Sequence, residues 1–93
     1  MEIEYSKIFL NKLAYIKDDL HKTIALITFD LIPSIQNFKD IGFIKQIKGY
    51  TNYYKIRTGE YLIILNFDIE DNKLIFINIL TENEVFNYLT THF

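Results

Sequence analysis

The 93-residue chain contains no cysteine, no tryptophan, one proline, three glycines and a single arginine. The absence of cysteine excludes a disulfide framework and every zinc site that uses thiolate ligands. No apolar run approaches the ~20 residues that a membrane helix needs, and the acidic start "MEIE" is unlike a signal peptide. These absences predict one small soluble domain over residues 1–93, located in the cytoplasm and without a membrane partner.

The sequence patterns of the common enzyme classes are also missing. There is no GxGxxG, P-loop, GxSxG or HExxH pattern in the chain. The two histidines are His21, near a predicted helix junction, and His92, beside the chain terminus, where surface roles are more common than catalytic ones. The acidic pair Asp18–Asp19 is more typical of a helix cap than of a metal site. We therefore expect no metal and no cofactor.

Hydrophobic residues make up 49% of the chain and aromatic residues 16%, which is enough for a core without metal or disulfides. The net charge of −2 argues against a protein that binds nucleic acid indiscriminately. The charges are nevertheless segregated. Residues 39–57 carry five basic residues and one acid, whereas residues 58–93 carry one basic residue and six acids. The chain thus has a basic centre and an acidic C-terminal part, a pattern that chance also produces in short chains.

The N-terminal third predicts a short strand followed by two helices. The stretch "EIEYS" alternates as a strand does, and its Ser6 is suited to cap a helix. Asp18–Asp19 offers a second N-cap, and Pro33 ends the second helix. Apolar residues recur at helical spacing in two stripes, Phe9, Leu13, Ile16 and Leu20, then Ile24, Ile27 and Leu31. We interpret this region as an α-hairpin rather than one bent helix.

The rest of the chain predicts strands and a final helix. The segments "IKQIKGYTNY", "YYKIR", "EYLIILNFDI" and "KLIFINIL" are rich in the β-branched and aromatic residues that strands favour. Thr58–Gly59 occupies a two-residue hairpin position, and residues 70–72 form a longer loop. Val85, Tyr88 and Leu89 return to helical spacing. The predicted fold class is α+β: a short N-terminal strand and an α-hairpin packed on one face of a small antiparallel β-sheet, with a C-terminal helix.

The strand period assigns the residues around the only arginine to opposite faces of the sheet. In "YYKIR", Lys55 and Arg57 share one face, and Tyr54 and Ile56 share the other. We expect the apolar pair to meet the helices, so that the two cations project from a face left open for a partner. Both cation types bind phosphate, so single-stranded RNA, an acidic peptide and plain solvent all remain candidates for what covers this face.

The segment 43–61, "FIKQIKGYTNYYKIRTGEY", resembles the RelE/ParE superfamily of toxins from type II toxin–antitoxin modules. Members carry a Lys-Leu-Lys-Gly-like step, a Tyr-Arg-Ile-Arg-x-Gly-Asp-Tyr-Arg hairpin and an ending near His-Arg-Lys-x-Ile-Tyr. Here these regions are "IKQIKG", "YKIRTGEYL" and "ILTENEVFNYL". The resemblance spans the whole chain and implies a RelE-like fold and neutralisation by an antitoxin. It also implies mRNA cleavage on the ribosome, as in the mRNA interferase branch, or gyrase inhibition, as in another branch.

The resemblance also implies which residues act. It assigns RNA binding to four basic residues, Lys45, Lys48, Lys55 and Arg57. The catalytic candidates are Arg57 and Glu82. The chain departs from the family pattern elsewhere: Leu62 replaces the third hairpin arginine, Thr81 and Glu82 stand in place of His-Arg, and Phe86 replaces the terminal tyrosine. Leucine and phenylalanine supply neither a proton nor a charge, and a carboxylate repels phosphate, although it can also serve as a general base.

Two functions therefore stay open. The first is a toxin that inhibits translation by ribosome-dependent mRNA cleavage, an endoribonuclease with a divergent and weakened active site. The second is a non-catalytic toxin-like protein that binds an antitoxin or a different target, such as gyrase. A simpler interpretation of Glu82 is that it only begins the last helix, where a carboxylate suits the positive helix end.

Overall fold

The computed structural model describes residues 1–36 and 41–92, so Lys39 and Asp40 of the basic centre lie outside the described residues. The strands are β1 (Glu2–Tyr5), β2 (Ile44–Gln46), β3 (Tyr53–Thr58), β4 (Tyr61–Asp68) and β5 (Lys73–Thr81). The helices are α1 (Lys7–Tyr15), α2 (Asp18–Leu26) and α3 (Glu82–His92), with a π-helical segment (Ile27–Leu31) and a 3-10 turn (Ile32–Ser34) after α2. No helix of the described part is both long and apolar enough to cross a membrane.

The five strands form one mixed sheet in the order β1-β5-β4-β3-β2. Strands β2 to β5 pair antiparallel, as predicted, whereas β1 pairs with β5 in parallel. Parallel neighbours need a long connection, and here it consists of the α-hairpin and the other strands. The predicted α+β fold is therefore confirmed, with a parallel edge strand added to the antiparallel sheet.

The helix signals of the N-terminal third hold in part. Ser6 caps α1, because its Oγ accepts a hydrogen bond from Phe9 N at 3.0 Å. The hairpin is also confirmed, since α1 ends before α2 begins. The second cap prediction is wrong: the N-cap of α2 is Lys17, and Asp18 and Asp19 lie in its first turn. Their carboxylates still suit that position, where the helix dipole is positive.

The second apolar stripe is confirmed at Ile24, which is fully buried, and at Ile27, which packs against the core, but it is wrong at Leu31. The fully buried residues here are Ile24, Thr28 and Ile32, at a spacing of four, whereas Leu31 is exposed. A π-helical turn takes in one more residue than an α-helical turn, so residues that follow an α-helical period rotate away from the core. The π-helical segment, which nothing in the sequence indicated, thus turns Leu31 outward.

The sheet has a different hydrophobic cluster on each face. On one face Tyr54, Ile56 and Phe76 pack with buried residues of the α-hairpin, including Phe9 and Ile24. The opposite face carries a second cluster, Ile47, Leu62, Ile64, Leu80 and Leu89, in which Leu89 belongs to α3. The expectation that this second face stays open is therefore wrong for its β4–β5 half, which α3 covers.

Candidate RNA-binding and catalytic site

Three of the predicted basic residues converge on one groove at the uncovered half of the second face. Phe43, Lys45, Lys55, Arg57 and Leu62 line a depression of about 360 Å³. The sheet register brings them together, because Lys45 lies opposite Lys55, and Arg57 lies opposite Leu62. Residues directly opposite in antiparallel strands point to the same face. We refer to these five residues below as the basic groove.

The two lysines of the basic groove face one another without a partner acid. Lys45 and Lys55 are directly opposed across β2 and β3. Like charges in that position destabilise a sheet. Within residues 1–36 and 41–92, no carboxylate lies within ion-pair distance of either lysine. This arrangement leaves two positive charges available to an anion.

Arg57 differs from the lysines because it has an internal partner. Its Nη2 donates a hydrogen bond to Glu82 Oε1 at 3.0 Å, forming an ion pair. The two side chains are 54% and 72% exposed, so the pair lies at the surface rather than in the core. The structure thus brings the two catalytic candidates, Arg57 and Glu82, into direct contact.

The start of α3, where Glu82 lies, is fixed by hydrogen bonds between Thr81 and Glu84. Thr81 donates two hydrogen bonds to Glu84 Oε1, from its backbone N and from its Oγ1, both at 2.9 Å. These bonds form one half of a capping box, in which the third helical residue returns to the cap residue. The bond from the Thr81 backbone is the largest cause of a lowered pKa for the Glu84 carboxyl, and the Thr81 hydroxyl lowers the pKa further. Thr81 therefore caps α3 at the position where the family pattern has a histidine.

Glu84→Ala is expected to lower the free energy of unfolding at pH 7 by about 1 kcal/mol, the usual cost of losing a cap. Because the folded-state pKa of Glu84 lies below the ordinary value of 4.5, its contribution is present above that value and is lost as the pH falls through the folded pKa. Urea unfolding at pH 7 and at pH 3 measures the difference between variant and parent. Glu60→Ala, at an exposed turn residue, is the control. An equal loss at both pH values contradicts the cap.

The other predicted site residues lie outside the basic groove or serve the core. Lys48 is exposed in the turn after β2 and lines a separate depression with Gly49 and Tyr50. Leu62 borders the groove but is only 3% exposed and belongs to the cluster beneath α3. Phe86 is 72% exposed on α3. The structure therefore joins Lys45, Lys55 and Arg57 and leaves Lys48 apart.

Two features of the site were missed by sequence reasoning. Phe43 lines the basic groove although it precedes β2, and no pattern distinguishes it from the other phenylalanines. The capping role of Glu84 had a visible signal, since "TENE" has the Ser/Thr-x-x-Glu spacing of a capping box.

Beneath α3, the buried Asn78 side chain hydrogen-bonds Tyr88, whose pKa is raised mainly by burial. In the described part of the chain no three His, Asp or Glu side chains group closely enough to hold a metal.

The mixed five-stranded sheet, with an α-hairpin on one face and a C-terminal helix, matches the α+β fold of small RelE-like proteins. No protein-family model matches the chain. The chain is 32% identical over 92 residues to Toxin RelE3 of Methanocaldococcus jannaschii, a match that covers 95% of this chain and 98% of that protein. The chain therefore belongs to the RelE toxin family.

Solved structures agree with this assignment. The RelB-RelE antitoxin-toxin complex from Methanococcus jannaschii matches with a TM-score of 0.68 and 34% identity, over 90% of this chain and 95% of that chain. The isolated E. coli RelE toxin matches with a TM-score of 0.65 over 97% of this chain and 95% of that chain. At 12% identity the second match supports the fold alone.

Proposed function

We propose that this protein is the toxin of a type II toxin–antitoxin module and inhibits translation by cleaving mRNA on the ribosome. The observation that carries the proposal is the basic groove, where Lys45 and Lys55 face one another without an acid partner in the described part of the chain. An unfavourable pair of like charges is stabilised when a polyanion binds it. Arg57, on the same wall, adds a guanidinium that binds phosphate through two nitrogens.

The groove and Glu82 supply two of the parts that RNA cleavage by its own 2′-hydroxyl needs, a positive charge for the phosphoryl oxygens and a base for the hydroxyl. The 2′-oxygen attacks the adjacent phosphorus, the bond to the 5′-oxygen breaks, and a cyclic phosphate and a 5′-hydroxyl result. We assign Arg57 to the negative charge that develops on the phosphoryl oxygens. We assign Glu82, whose Oε1 lies 3.0 Å from Arg57 Nη2, to the proton of the 2′-hydroxyl. The 5′-oxygen takes its proton from water.

The partners follow from the same proposal. The relatives of known structure include a RelB-RelE antitoxin-toxin complex from Methanococcus jannaschii and another, RelBE2, from Mycobacterium tuberculosis. We infer that this chain likewise pairs with an antitoxin and acts in the cytoplasm on ribosome-bound mRNA. We assign Lys48, which is exposed in the turn after β2, to RNA contacts outside the groove.

Induced expression of the protein in bacteria tests the proposal. We expect growth arrest, with new 5′ ends mapped inside mRNAs that are held on ribosomes. The Lys45→Ala, Lys55→Ala double variant should restore growth, because it removes the two opposed cations of the basic groove, whereas Lys22→Ala, at an exposed lysine on α2, should still arrest growth. Normal growth with no mapped cuts contradicts a cleaving toxin.

A second candidate function is favoured by the remaining site residues. Glu82 neutralises Arg57. In this chain the buried Leu62 replaces the third hairpin arginine of the family pattern, and the exposed Phe86 lacks the hydroxyl of the family's terminal tyrosine. These residues suit a non-catalytic toxin-like protein that binds an antitoxin or another target, such as gyrase. Capture of the neighbouring gene's product together with normal growth and intact mRNA is the outcome that supports this alternative.

A further inference from the structure

The basic groove has two anion-binding parts that differ in availability. At one end, Lys45 and Lys55 have no acid within ion-pair distance in the described chain. At the other end, the only arginine is already engaged by Glu82, which is 25 residues away in sequence. A polyanion that enters the groove therefore meets two open cations and one that is occupied.

The occupant of Arg57 resembles the ligand that the groove is expected to take. A carboxylate and a phosphodiester each present two oxygens to a guanidinium, and here Glu82 engages Arg57 through one hydrogen bond, from Nη2 to Oε1. Glu82 is the first residue of α3, directly after the cap residue Thr81, whose two hydrogen bonds to Glu84 fix the start of the helix. The helix start thus fixes the backbone position from which the Glu82 side chain reaches Arg57.

We infer that Glu82 is an internal competitor for phosphate: it occupies Arg57 in the free protein, and RNA must displace it to engage the whole groove. The inference rests on the proposed function in that it takes the displacing anion to be RNA. An anion small enough to bind the two lysines alone leaves the ion pair intact, whereas an RNA strand that spans the groove exchanges the Glu82 carboxylate for its own phosphate. The exchange also releases Glu82 beside the 2′-hydroxyl.

Binding of a short, labelled 2′-O-methyl RNA, which cannot be cleaved at its 2′-oxygen, tests the inference. Four chains are compared: the parent, Glu82→Gln, Arg57→Ala and the double variant. Glu82→Gln should bind this RNA about 1.5-fold to fivefold more tightly than the parent, the range that corresponds to the strength of an exposed ion pair. In the Arg57→Ala background the same change should have almost no effect, because the carboxylate then has nothing to compete for. Inorganic phosphate should bind the parent and Glu82→Gln equally.

Glu60→Gln is the matched control, since it removes one exposed carboxylate from the turn between β3 and β4 without touching Arg57. An equal gain from Glu82→Gln with and without Arg57 overturns the inference, because the carboxylate then acts only by general repulsion. Three other results also overturn the inference. The first is an equal gain in RNA affinity from Glu60→Gln, and the second is no binding of RNA by any variant. The third is an Arg57-dependent gain that is seen with a poly-glutamate peptide and not with RNA.

The outcome is separable from that of the proposed function. If the parent cuts no mRNA but Glu82→Gln still binds RNA more tightly through Arg57, the inference that Glu82 competes with phosphate is supported and the cleavage proposal is contradicted. If mRNA is cut but Glu82→Gln does not change the RNA affinity, the cleavage proposal is supported and the inference that Glu82 competes with phosphate is contradicted. Urea midpoints that match among the four chains show that the differences arise from binding.

Discussion

Arg57→Ala is expected to slow the cleavage of ribosome-bound mRNA by about 10²–10³-fold, the loss typical of one preorganised donor to a developing negative charge. Arg57 is the only arginine in the chain, and it lies in the groove opposite Leu62, which donates nothing. Neither Lys45 nor Lys55 can replace its two-nitrogen contact. Single-turnover cleavage on programmed ribosomes, with the protein in excess, measures this effect apart from product release.

The fold should survive this change. The Arg57 and Glu82 side chains are 54% and 72% exposed, and an exposed ion pair contributes at most about 1 kcal/mol to stability. Arg57→Lys, which keeps the charge but loses the planar fork, should fall between the parent and the alanine variant. Lys22→Ala is the control for a general loss of positive charge. Cleavage by Arg57→Ala at the parental rate contradicts the assignment of Arg57 to the reacting phosphate.

The face that carries Arg57 was predictable from sequence because a strand alternates with a fixed period of two. That period puts Lys55 and Arg57 opposite to Tyr54 and Ile56 once the apolar pair is taken as core. The structure agrees, since Tyr54 and Ile56 are buried against the α-hairpin and Arg57 is exposed. Local geometry alone fixes this part of the groove.

The partners of these side chains were not predictable, because they depend on register and on long-range packing. The pairing of Lys45 with Lys55 follows from a connection of six residues, 47–52, in which Gly49 and Asn52 have φ angles of 87° and 74°. No short turn pattern specifies that register. The Arg57–Glu82 pair depends in addition on where α3 begins.

Leu62 shows how an unexpected helix position changes the meaning of a residue. Compared with the family pattern, Leu62 replaces an arginine on a face that was predicted to be open. In the structure that residue lies between Arg57 and Leu80 in the sheet and packs in the cluster beneath α3. An apolar side chain is favoured there because α3 covers this half of the face. The loss of one functional group is thus tied to the packing of the C-terminal helix.

Phe76→Ala is expected to lower the free energy of unfolding by about 3–5 kcal/mol, the usual cost of removing a buried aromatic ring. Phe76 is fully buried on β5, and its ring centroid lies 5.2 Å from the rings of both Tyr5 and Phe9. The Phe76 ring on β5 therefore packs against both β1, through Tyr5, and α1, through Phe9. A domain of this kind has about 5–15 kcal/mol of stability in total, so the variant loses a large share of it.

Phe86→Ala is the matched control, because it makes the same substitution at a ring that is 72% exposed on α3. Its effect on stability should stay within about 0.5 kcal/mol. Urea unfolding followed by circular dichroism should place the Phe76→Ala midpoint at least about 1 M below that of Phe86→Ala, given the usual slope for a small domain. Equal midpoints for the two variants contradict a core centred on Phe76. Because the Phe76 ring packs against Phe9 of α1 and Tyr5 of β1, its removal leaves a cavity in the core, whereas removal of the exposed Phe86 ring does not.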